Sequence, residues 1–240
     1  MIKKITIQLM RAFNISLKFV PFLYKKVLPN GRENYRPFFQ PWLIDKEFLE
    51  LWKHSKNLTT SSIETFYFIY SFAKNLENID GIFCECGVYK GGTARMLSAI
   101  ANKQRKDLHL FDTFAGMPEQ SKALDFFKVG SFSDTSLSFV QSNLSSSKNI
   151  FFHQGKLPDT LVEINNKQIS FAHIDVDQYQ STKNTLEMIL QSLVKGGLII
   201  VDDYGRPSTP GAKLAVDEVC IPKNLEPIAL PTGQCVILNT

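Results

Sequence analysis

An α/β fold with a mostly parallel sheet is the architecture that this sequence predicts. From Ile82 onward, short apolar runs typical of strands alternate with segments of helical periodicity. Such alternation is characteristic of parallel sheets, whose strands are joined by crossover helices. Two further short extended segments follow the last helical pattern. Five strand–helix units and a closing pair of strands predict a seven-stranded sheet with helices on both faces.

The strands are expected at seven places, namely 82–86, 107–112, 150–153, 170–175, 197–202, 226–230 and 234–238. Helices are predicted over 46–76, 92–101, 137–144, 158–164, 181–193 and 212–219. Prolines and glycine make 29–45 loop-like. Within the first long helical pattern, Thr59, Thr60, Ser61 and Ser62 are N-cap candidates, and Glu64 can complete a capping box with Ser61.

Length and composition favour one globular domain with an extension. The chain has 240 residues, 44% hydrophobic, and a net charge of +4. We expect an N-terminal helical and loop extension over 1–57 and the α/β domain over 58–240. No dense basic stripe with interleaved aromatics occurs, so nucleic acid is not an expected partner. No apolar run is long enough for a transmembrane helix.

Cysteine usage indicates a reducing compartment. Cys84, Cys86, Cys220 and Cys235 lack the spacing of a zinc site or a disulfide framework, so we interpret them as core thiols of a cytoplasmic protein. The first 28 residues form a basic amphipathic pattern. A helix packed on its own domain or on a partner copy is the favoured interpretation, and weak contact with an anionic membrane surface is the alternative.

A glycine-rich turn follows the first strand. Gly87, Gly91 and Gly92 stand between that strand and the next helix, whose N-terminus offers free N–H groups. Their spacing does not match the dinucleotide fingerprint. Asp112 ends the second strand, where a carboxylate can bind both hydroxyls of a ribose. Each feature alone is also explained by a plain turn or a helix cap, but together they favour an adenosine-containing ligand.

Acidic side chains end two strands that are expected to be neighbours. Asp175 and Asp177 follow one strand, and Asp202 and Asp203 follow the next. If the strands pair, three or four carboxylates converge at one edge, where they repel one another. A hard divalent cation relieves that repulsion, and oxygen ligands favour Mg²⁺ over zinc. The alternative interpretation is that these acids cap the following helices, which does not account for Asp202 and Asp203 together.

The sequence blocks 83–93, 111–118, 173–179 and 196–205, in this order, resemble those of TylF/MycF-type (macrocin) sugar O-methyltransferases. The resemblance runs from Leu58 to the C-terminus. It implies a Rossmann-like class I methyltransferase fold, S-adenosylmethionine as cofactor, Mg²⁺ or another hard divalent cation, and a small-molecule hydroxylated acceptor that is a sugar. Because members commonly dimerise, it also implies a homo-oligomer. Met117 and Gln178 stand where the family often has leucine.

By matching position, the resemblance implies a role for each residue of the site. Asp175, Asp202 and Asp203 would be the metal ligands, and Asp177 the general base. Glu85, Gly87 and Asp112 would hold the cofactor. The other expected cofactor-binding residues are Tyr89, Gly91 and Thr93 on the turn, and Gln154 and Gly155 after the third strand, near the adenine.

Three other functions remain open from the residues. The same metal site suits a methyltransferase that acts on a catechol-like or other non-sugar hydroxylated metabolite. A nucleotide-binding dehydrogenase would bind NAD instead of S-adenosylhomocysteine. A non-catalytic adenosine-nucleotide-binding protein is the third alternative.

Overall fold

The computed structural model describes residues 39–118, 124–145 and 148–240 of the chain. The chain divides into two compact units, Met1–Pro41 and Trp42–Thr240, and the fold described below is that of the second unit. The basic segment predicted over 1–28 lies outside the described residues. The proposed division of the chain at residue 57 therefore stays a prediction, as does the membrane contact.

The described residues contain six α-helices and seven strands. The helices are α1 (Lys46–Ser55), α2 (Ile63–Lys74), α3 (Gly92–Lys103), α4 (Leu137–Asn143), α5 (Tyr179–Ser192) and α6 (Pro210–Cys220). The strands are β1 (Ile82–Cys86), β2 (Leu108–Asp112), β3 (Ile150–Gln154), β4 (Ile169–Ile174), β5 (Leu193–Val201), β6 (Ile228–Ala229) and β7 (Cys235–Leu238). Short 3-10 helices cover Pro41–Leu43, Asp159–Ile164 and Ile221–Lys223.

One sheet holds all seven strands in the order β3-β2-β1-β4-β5-β7-β6. The first five strands pair in parallel, and β7 runs antiparallel to both β5 and β6. The chain moves outward from β1 to β3 and then returns to β4 on the other side of β1. Ligands of such sheets bind beyond the carboxyl ends of the strands at this reversal. The predicted mostly parallel, seven-stranded architecture is confirmed.

Helices cover both faces of the sheet because its strands alternate apolar side chains between two cores. On one face, Phe83 and Phe171 pack with residues of α1, α2 and α3. On the other face, Cys84 and Ile199 pack with residues of α5 and α6. All four cysteines are buried and free, so their prediction as core thiols is confirmed.

The long helical pattern expected over 46–76 is two helices. α1 ends at Ser55, and α2 begins after Ser62, whose side chain accepts a hydrogen bond from Thr65 N at 3.3 Å. The predicted capping box with Ser61 is therefore wrong, because Ser62 is the N-cap. The break has a physical reason, since Leu58 O accepts a hydrogen bond from Gly92 N at 3.1 Å. The segment between the helices thus lies against the start of α3.

Two other predictions differ in detail. The segment expected as a helix over 158–164 forms a 3-10 helix, and β5 begins at Leu193, four residues before the predicted position. Gly196 N donates to Asn239 O at 2.7 Å, so pairing with the C-terminal segment extends the strand. In the part of the chain that the structure describes, no helix has the length and apolarity needed to cross a membrane.

The substitution Phe171→Ala tests the core between the sheet and helices α1, α2 and α3. Phe171 is fully buried and its ring lies 5.2 Å from that of Phe83. We expect this substitution to lower the free energy of unfolding by about 3–5 kcal/mol, because it leaves a cavity. Phe126, which is 68% exposed, offers a matched control. Phe126→Ala should change stability by under about 0.5 kcal/mol. Equal losses in denaturant unfolding would contradict the assignment of the core.

Candidate active site

A cavity of about 440 Å³ lies at the carboxyl ends of β1, β2, β4 and β5. Most of the side chains and turn residues predicted for the site line it, namely Glu85, Gly87, Tyr89, Thr93, Asp112, Asp175, Asp177, Asp202 and Asp203. Gly91, Gln154 and Gly155 do not line it. The sheet therefore brings the glycine-rich turn and the four aspartates to one place.

The glycine-rich turn is fixed between two strands. Gly87 has a φ of +90°, and its N–H donates to Phe111 O at 2.9 Å. A Cβ at this position would stand 1.9 Å from Asp175 O. Only glycine fits there, because any side chain would collide with the backbone after β4. The turn and the carboxylate segment consequently touch through their backbones.

Asp112 binds the turn directly. Its Oδ2 accepts hydrogen bonds from the N–H groups of Val88 at 2.6 Å and Tyr89 at 2.9 Å. Its Oδ1 accepts one from Phe114 N at 2.7 Å. A carboxylate has about four lone-pair sites, so these three bonds leave limited room for a ribose. The structure shows Asp112 as an organiser of the turn, and its ribose contact stays a prediction.

Gly91 and Gly155 shape the backbone near the cavity and do not line it. Gly91 has a φ of +85° as the N-cap residue of α3, and a Cβ there would lie 3.0 Å from Val140 Cγ1. Gly155 N donates to Asp112 O at 3.0 Å. Gln154 is exposed, and its side chain donates to Thr113 O at 3.4 Å. Gln154 and Gly155 therefore contact the backbone of Asp112 and Thr113 and do not line the cavity. Their contact with adenine stays a prediction.

Two aromatic residues to which the sequence reasoning assigned no role line the cavity. Phe127 and Phe132 line the cavity with their ring centroids 5.2 Å apart. Phe132 also packs edge-on against Tyr89 at 5.4 Å. Tyr89 O accepts a hydrogen bond from Thr135 Oγ1 at 2.6 Å, which ties this segment to the glycine-rich turn. Because the segment has no regular secondary structure, periodicity gave no signal for its position.

Three carboxylates converge on the cavity. Asp175, Asp177 and Asp203 each offer an oxygen, and these oxygens lie within 4.8 Å of one another. Asp177 N also donates to Asp203 Oδ2 at 3.1 Å. The pairing of β4 with β5, which sets Ile174 opposite Val201, places the two acidic segments side by side. The predicted convergence of acids is confirmed, with Asp177 inside the convergent group.

Asp202 is held by other partners. Its Oδ1 accepts a hydrogen bond from Gln234 Nε2 at 2.9 Å, and its Oδ2 accepts one from Arg206 Nη2 at 2.7 Å. His173 Nε2 lies 3.7 Å from Asp202 Oδ1. The sequence reasoning assigned no role to Arg206 or Gln234. The i,i+4 spacing of Asp202 and Arg206 could have predicted their ion pair. The contact of Gln234 with Asp202 could not be predicted in this way, because it depends on the pairing of β5 with β7.

Burial and mutual repulsion dominate the electrostatics of the cluster. Burial, together with repulsion from Asp203 and Asp202, raises the pKa of Asp177 to about 8. The pKa of Asp203 is raised to about 6 for the same reasons, and that of Asp175 lies well above its usual value. Burial also acts to raise the pKa of Asp202, but His173 and Arg206 outweigh it and lower the pKa. A bound divalent cation would favour the ionised form of every carboxylate.

Glu85 and His173 form a buried pair beneath the cavity. Glu85 Oε1 lies 3.3 Å from His173 Nδ1, and both side chains are 1% exposed. Burial acts to lower the pKa of His173, yet the nearby carboxylates of Asp202 and Glu85 raise it to about 10. Glu85 Oε2 has no hydrogen-bond partner within the described residues, although Glu85 lines the cavity. That oxygen can accept a hydrogen bond from a ligand.

A known protein family matches the part of the chain that forms most of this cavity. A family model described as macrocin-O-methyltransferase (TylF) matches residues 72–228, which include the glycine-rich turn and all four aspartates. The chain belongs to this family. The match confirms the resemblance drawn from the four sequence blocks.

Two relatives in Streptomyces are similar to this TylF-family chain. The 8-demethyl-8-(2,3-dimethoxy-alpha-L-rhamnosyl)-tetracenomycin-C 4'-O-methyltransferase of Streptomyces olivaceus is 27% identical, over 53% of this chain and 54% of that protein. The demethyldecarbamoylnovobiocin O-methyltransferase of Streptomyces niveus is 26% identical, over 59% of this chain and 58% of that protein. The chain spans between half and two thirds of the length of these relatives.

Solved structures share the fold. The O-methyltransferase NovP superposes with a TM-score of 0.66 at 23% identity, over 76% of this chain and 82% of that one. The calicheamicin methyltransferase CalS11 gives a TM-score of 0.64 at 18% identity, over 85% of this chain and 99% of that one. At these identities the likeness establishes the Rossmann-like class I methyltransferase fold.

The raised pKa values predict how stability depends on pH. Asp177 and His173 bind protons more tightly in the folded chain than in the unfolded one, with pKa values of about 8 and about 10. The thermal midpoint of the metal-free protein should therefore fall as pH rises from about 6.5 to about 8. His109, whose pKa is lowered to about 4, has the opposite effect, but mainly below this window.

Differential scanning calorimetry in chelator measures this dependence. Asp177→Asn removes one of the groups whose pKa is raised, so the decline across the same window should become shallower. A thermal midpoint that stays level or rises in the wild-type protein would contradict the predicted direction.

Proposed function

We propose that this chain transfers a methyl group from S-adenosylmethionine to a hydroxyl oxygen of a small-molecule acceptor, with the help of Mg²⁺ or a similar hard cation. The acceptor we favour is a sugar or a glycosylated metabolite. The observation that carries the proposal is the convergence of Asp175, Asp177 and Asp203 in the same cavity as the glycine-rich turn. Membership of the TylF family supports it.

The residues present fit S-adenosylmethionine. The unpartnered, buried Oε2 of Glu85 suits the ammonium group of the cofactor. Gly87, Val88, Tyr89 and Thr93 line the cavity beside the start of α3, and the N-terminus of that helix suits the carboxylate of the cofactor. Asp112, at the end of β2, is our candidate for a ribose hydroxyl, which would take up the acceptor capacity that Val88, Tyr89 and Phe114 leave. When bound, the cofactor supplies an electrophilic methyl group on a sulfonium.

A divalent cation also fits the residues present. Asp175 and Asp203 belong both to the set implied by the family resemblance and to the set that converges in the structure. The third member of the set implied by the resemblance is Asp202, and the third member of the set that converges in the structure is Asp177. Oxygen-only ligands of this kind favour Mg²⁺. Such an ion would orient two acceptor oxygens and lower the pKa of the hydroxyl.

Asp177 is the residue that we assign as general base. It is placed beside the cluster by a backbone with φ of +57°, and its N–H bond to Asp203 fixes it there. Its pKa of about 8 in the metal-free chain is close to neutral, the range that suits a base. A carboxylate oxygen of Asp177 would take the proton of the acceptor hydroxyl as that oxygen attacks the methyl group.

The aromatic residues of the cavity bear on the class of the acceptor. Phe127 and Phe132 line the cavity and offer apolar surface against which a sugar ring can pack. The name of the Streptomyces olivaceus relative includes a rhamnosyl group, which supports a sugar. A catechol-like phenol is the second candidate, because the same two rings and a metal with two open positions would also suit it. The four carboxylates argue against a purely adenosine-binding protein and against NAD chemistry, neither of which needs them.

The roles of the aspartates can be separated by calorimetry. Asp175→Asn and Asp203→Asn should each abolish Mg²⁺ binding and Mg²⁺-dependent methyl transfer, while binding of S-adenosylhomocysteine persists. Asp177→Asn should lower turnover by about 10²–10⁴-fold, the usual contribution of a general base, and retain Mg²⁺ binding. The exposed Asp80 gives a matched control, since Asp80→Asn should change none of these quantities. Full wild-type activity in chelator would exclude the metal role.

The acceptor can be identified by profiling with radiolabelled cofactor. A panel of glycosides, catechols and simple polyols should give label transfer to the glycosides at a kcat/KM well above that for catechols. Omitting Mg²⁺ provides the control for each acceptor. Transfer only to catechols would favour the second candidate. Binding of NAD without binding of S-adenosylhomocysteine would overturn the proposed function.

A further inference from the structure

Arg206 lines the cavity and lies beside two of its carboxylates. Its Nη2 lies 2.7 Å from Asp202 Oδ2, and its Nε lies 3.7 Å from Asp203 Oδ1. The side chain is 35% exposed, whereas both aspartates are nearly fully buried. Its backbone is fixed, because Arg206 N donates to Asp203 O and Thr209 N donates to Arg206 O. The guanidinium can therefore move toward solvent while the turn stays in place.

The lining of the cavity is strongly acidic, and Arg206 offsets part of its negative charge. Six acidic side chains line the cavity, namely Glu85, Asp112, Asp175, Asp177, Asp202 and Asp203. Among the described residues that line it, Arg206 is the only lysine or arginine. An uncompensated group of buried carboxylates is strongly unfavourable. In the metal-free chain, Arg206 thus supplies a positive charge where the proposed divalent cation would supply two.

The two carboxylate oxygens of Asp202 have different partners, one buried and one partly exposed. Gln234, which is fully buried and bound in turn by Thr232 Oγ1 at 2.8 Å, fixes Oδ1. The partly exposed Arg206 holds Oδ2. Asp202 is consequently absent from the three carboxylates whose oxygens converge. If the ion pair opened, Oδ2 would become free while Gln234 kept the carboxylate in position.

We propose that Arg206 is an internal counter-cation, which occupies Asp202 Oδ2 in the metal-free protein and is displaced when a divalent cation binds. This inference rests on the proposed Mg²⁺ site. Binding of the metal then exchanges one ion pair for another, so Arg206 weakens the affinity for the metal and stabilises the protein that lacks it. The metal would recruit Asp202 only after the guanidinium has left.

Isothermal titration of Mg²⁺ alone into Arg206→Gln tests the exchange. We expect the variant to bind Mg²⁺ about tenfold more tightly than the wild-type protein, equal to about 1.4 kcal/mol. Without metal its thermal midpoint should be lower, and the rise on adding Mg²⁺ should be larger. Lys195→Gln is the matched control. It removes the same charge from an exposed position near the other end of β5, so both quantities should stay at the wild-type values.

A crystal structure of the wild-type protein with Mg²⁺ provides a second measurement, which is independent of whether Arg206→Gln folds. An Arg206–Asp202 distance beyond hydrogen-bond range supports the exchange, and an intact ion pair at 2.7 Å beside a bound ion overturns it. Unchanged or weaker Mg²⁺ affinity in Arg206→Gln overturns the inference and leaves the metal site standing. Absence of Mg²⁺ binding in every variant overturns both.

Discussion

The concentration of buried and half-buried carboxylates at the ends of β4 and β5 is the constraint on which the rest of the site depends. Because β4 and β5 are parallel neighbours, Asp175 and Asp202 follow strand residues that lie opposite each other. Their backbones are joined as well, since Asp202 N donates to Ile174 O at 2.9 Å. The repulsion between these groups is therefore built into the sheet. Arg206, His173 and Gln234 are the groups that offset it in the metal-free chain.

The order of the strands connects this cluster to the proposed cofactor site. β1 lies between β2 and β4, so the turn that leaves β1 faces Asp112 on one side and Asp175 on the other. Asp175 N donates a hydrogen bond to Cys86 O at 2.8 Å, and there is no space for a side chain between Gly87 and Asp175 O, so the two segments are packed directly against each other. A cofactor on the turn and a cation on the aspartates would then occupy positions that are fixed relative to each other. Such fixed geometry is what lowers the barrier to a transfer between two bound groups.

The fold and the acidic half of the site could be predicted from the sequence because they depend on local patterns. Apolar runs that end in Asp175 and Asp202 indicate strands, and adjacent parallel strands bring their ends together. The partners of Asp202 could not be predicted in the same way. Gln234 reaches it through an antiparallel closing strand, β7, and no periodicity in the sequence indicates that contact. The break after Ser55 was missed because the hydrogen bond that holds the segment between α1 and α2, from Gly92 N to Leu58 O, joins residues that are far apart in the sequence.

Asp177 and Asp202 differ in how they can respond to a cation. Asp202 is ionised beside Arg206 and His173, whereas burial and repulsion raise the pKa of Asp177 to about 8. A cation that gains Asp202 as a ligand would leave Asp177 outside the set that it binds, yet close enough to receive a proton. A cation that keeps Asp177 as a ligand would use up the oxygen needed by a base. If the proposed exchange takes place, the ion pair between Arg206 and Asp202 would determine which aspartate binds the metal and which one is left to act on the acceptor.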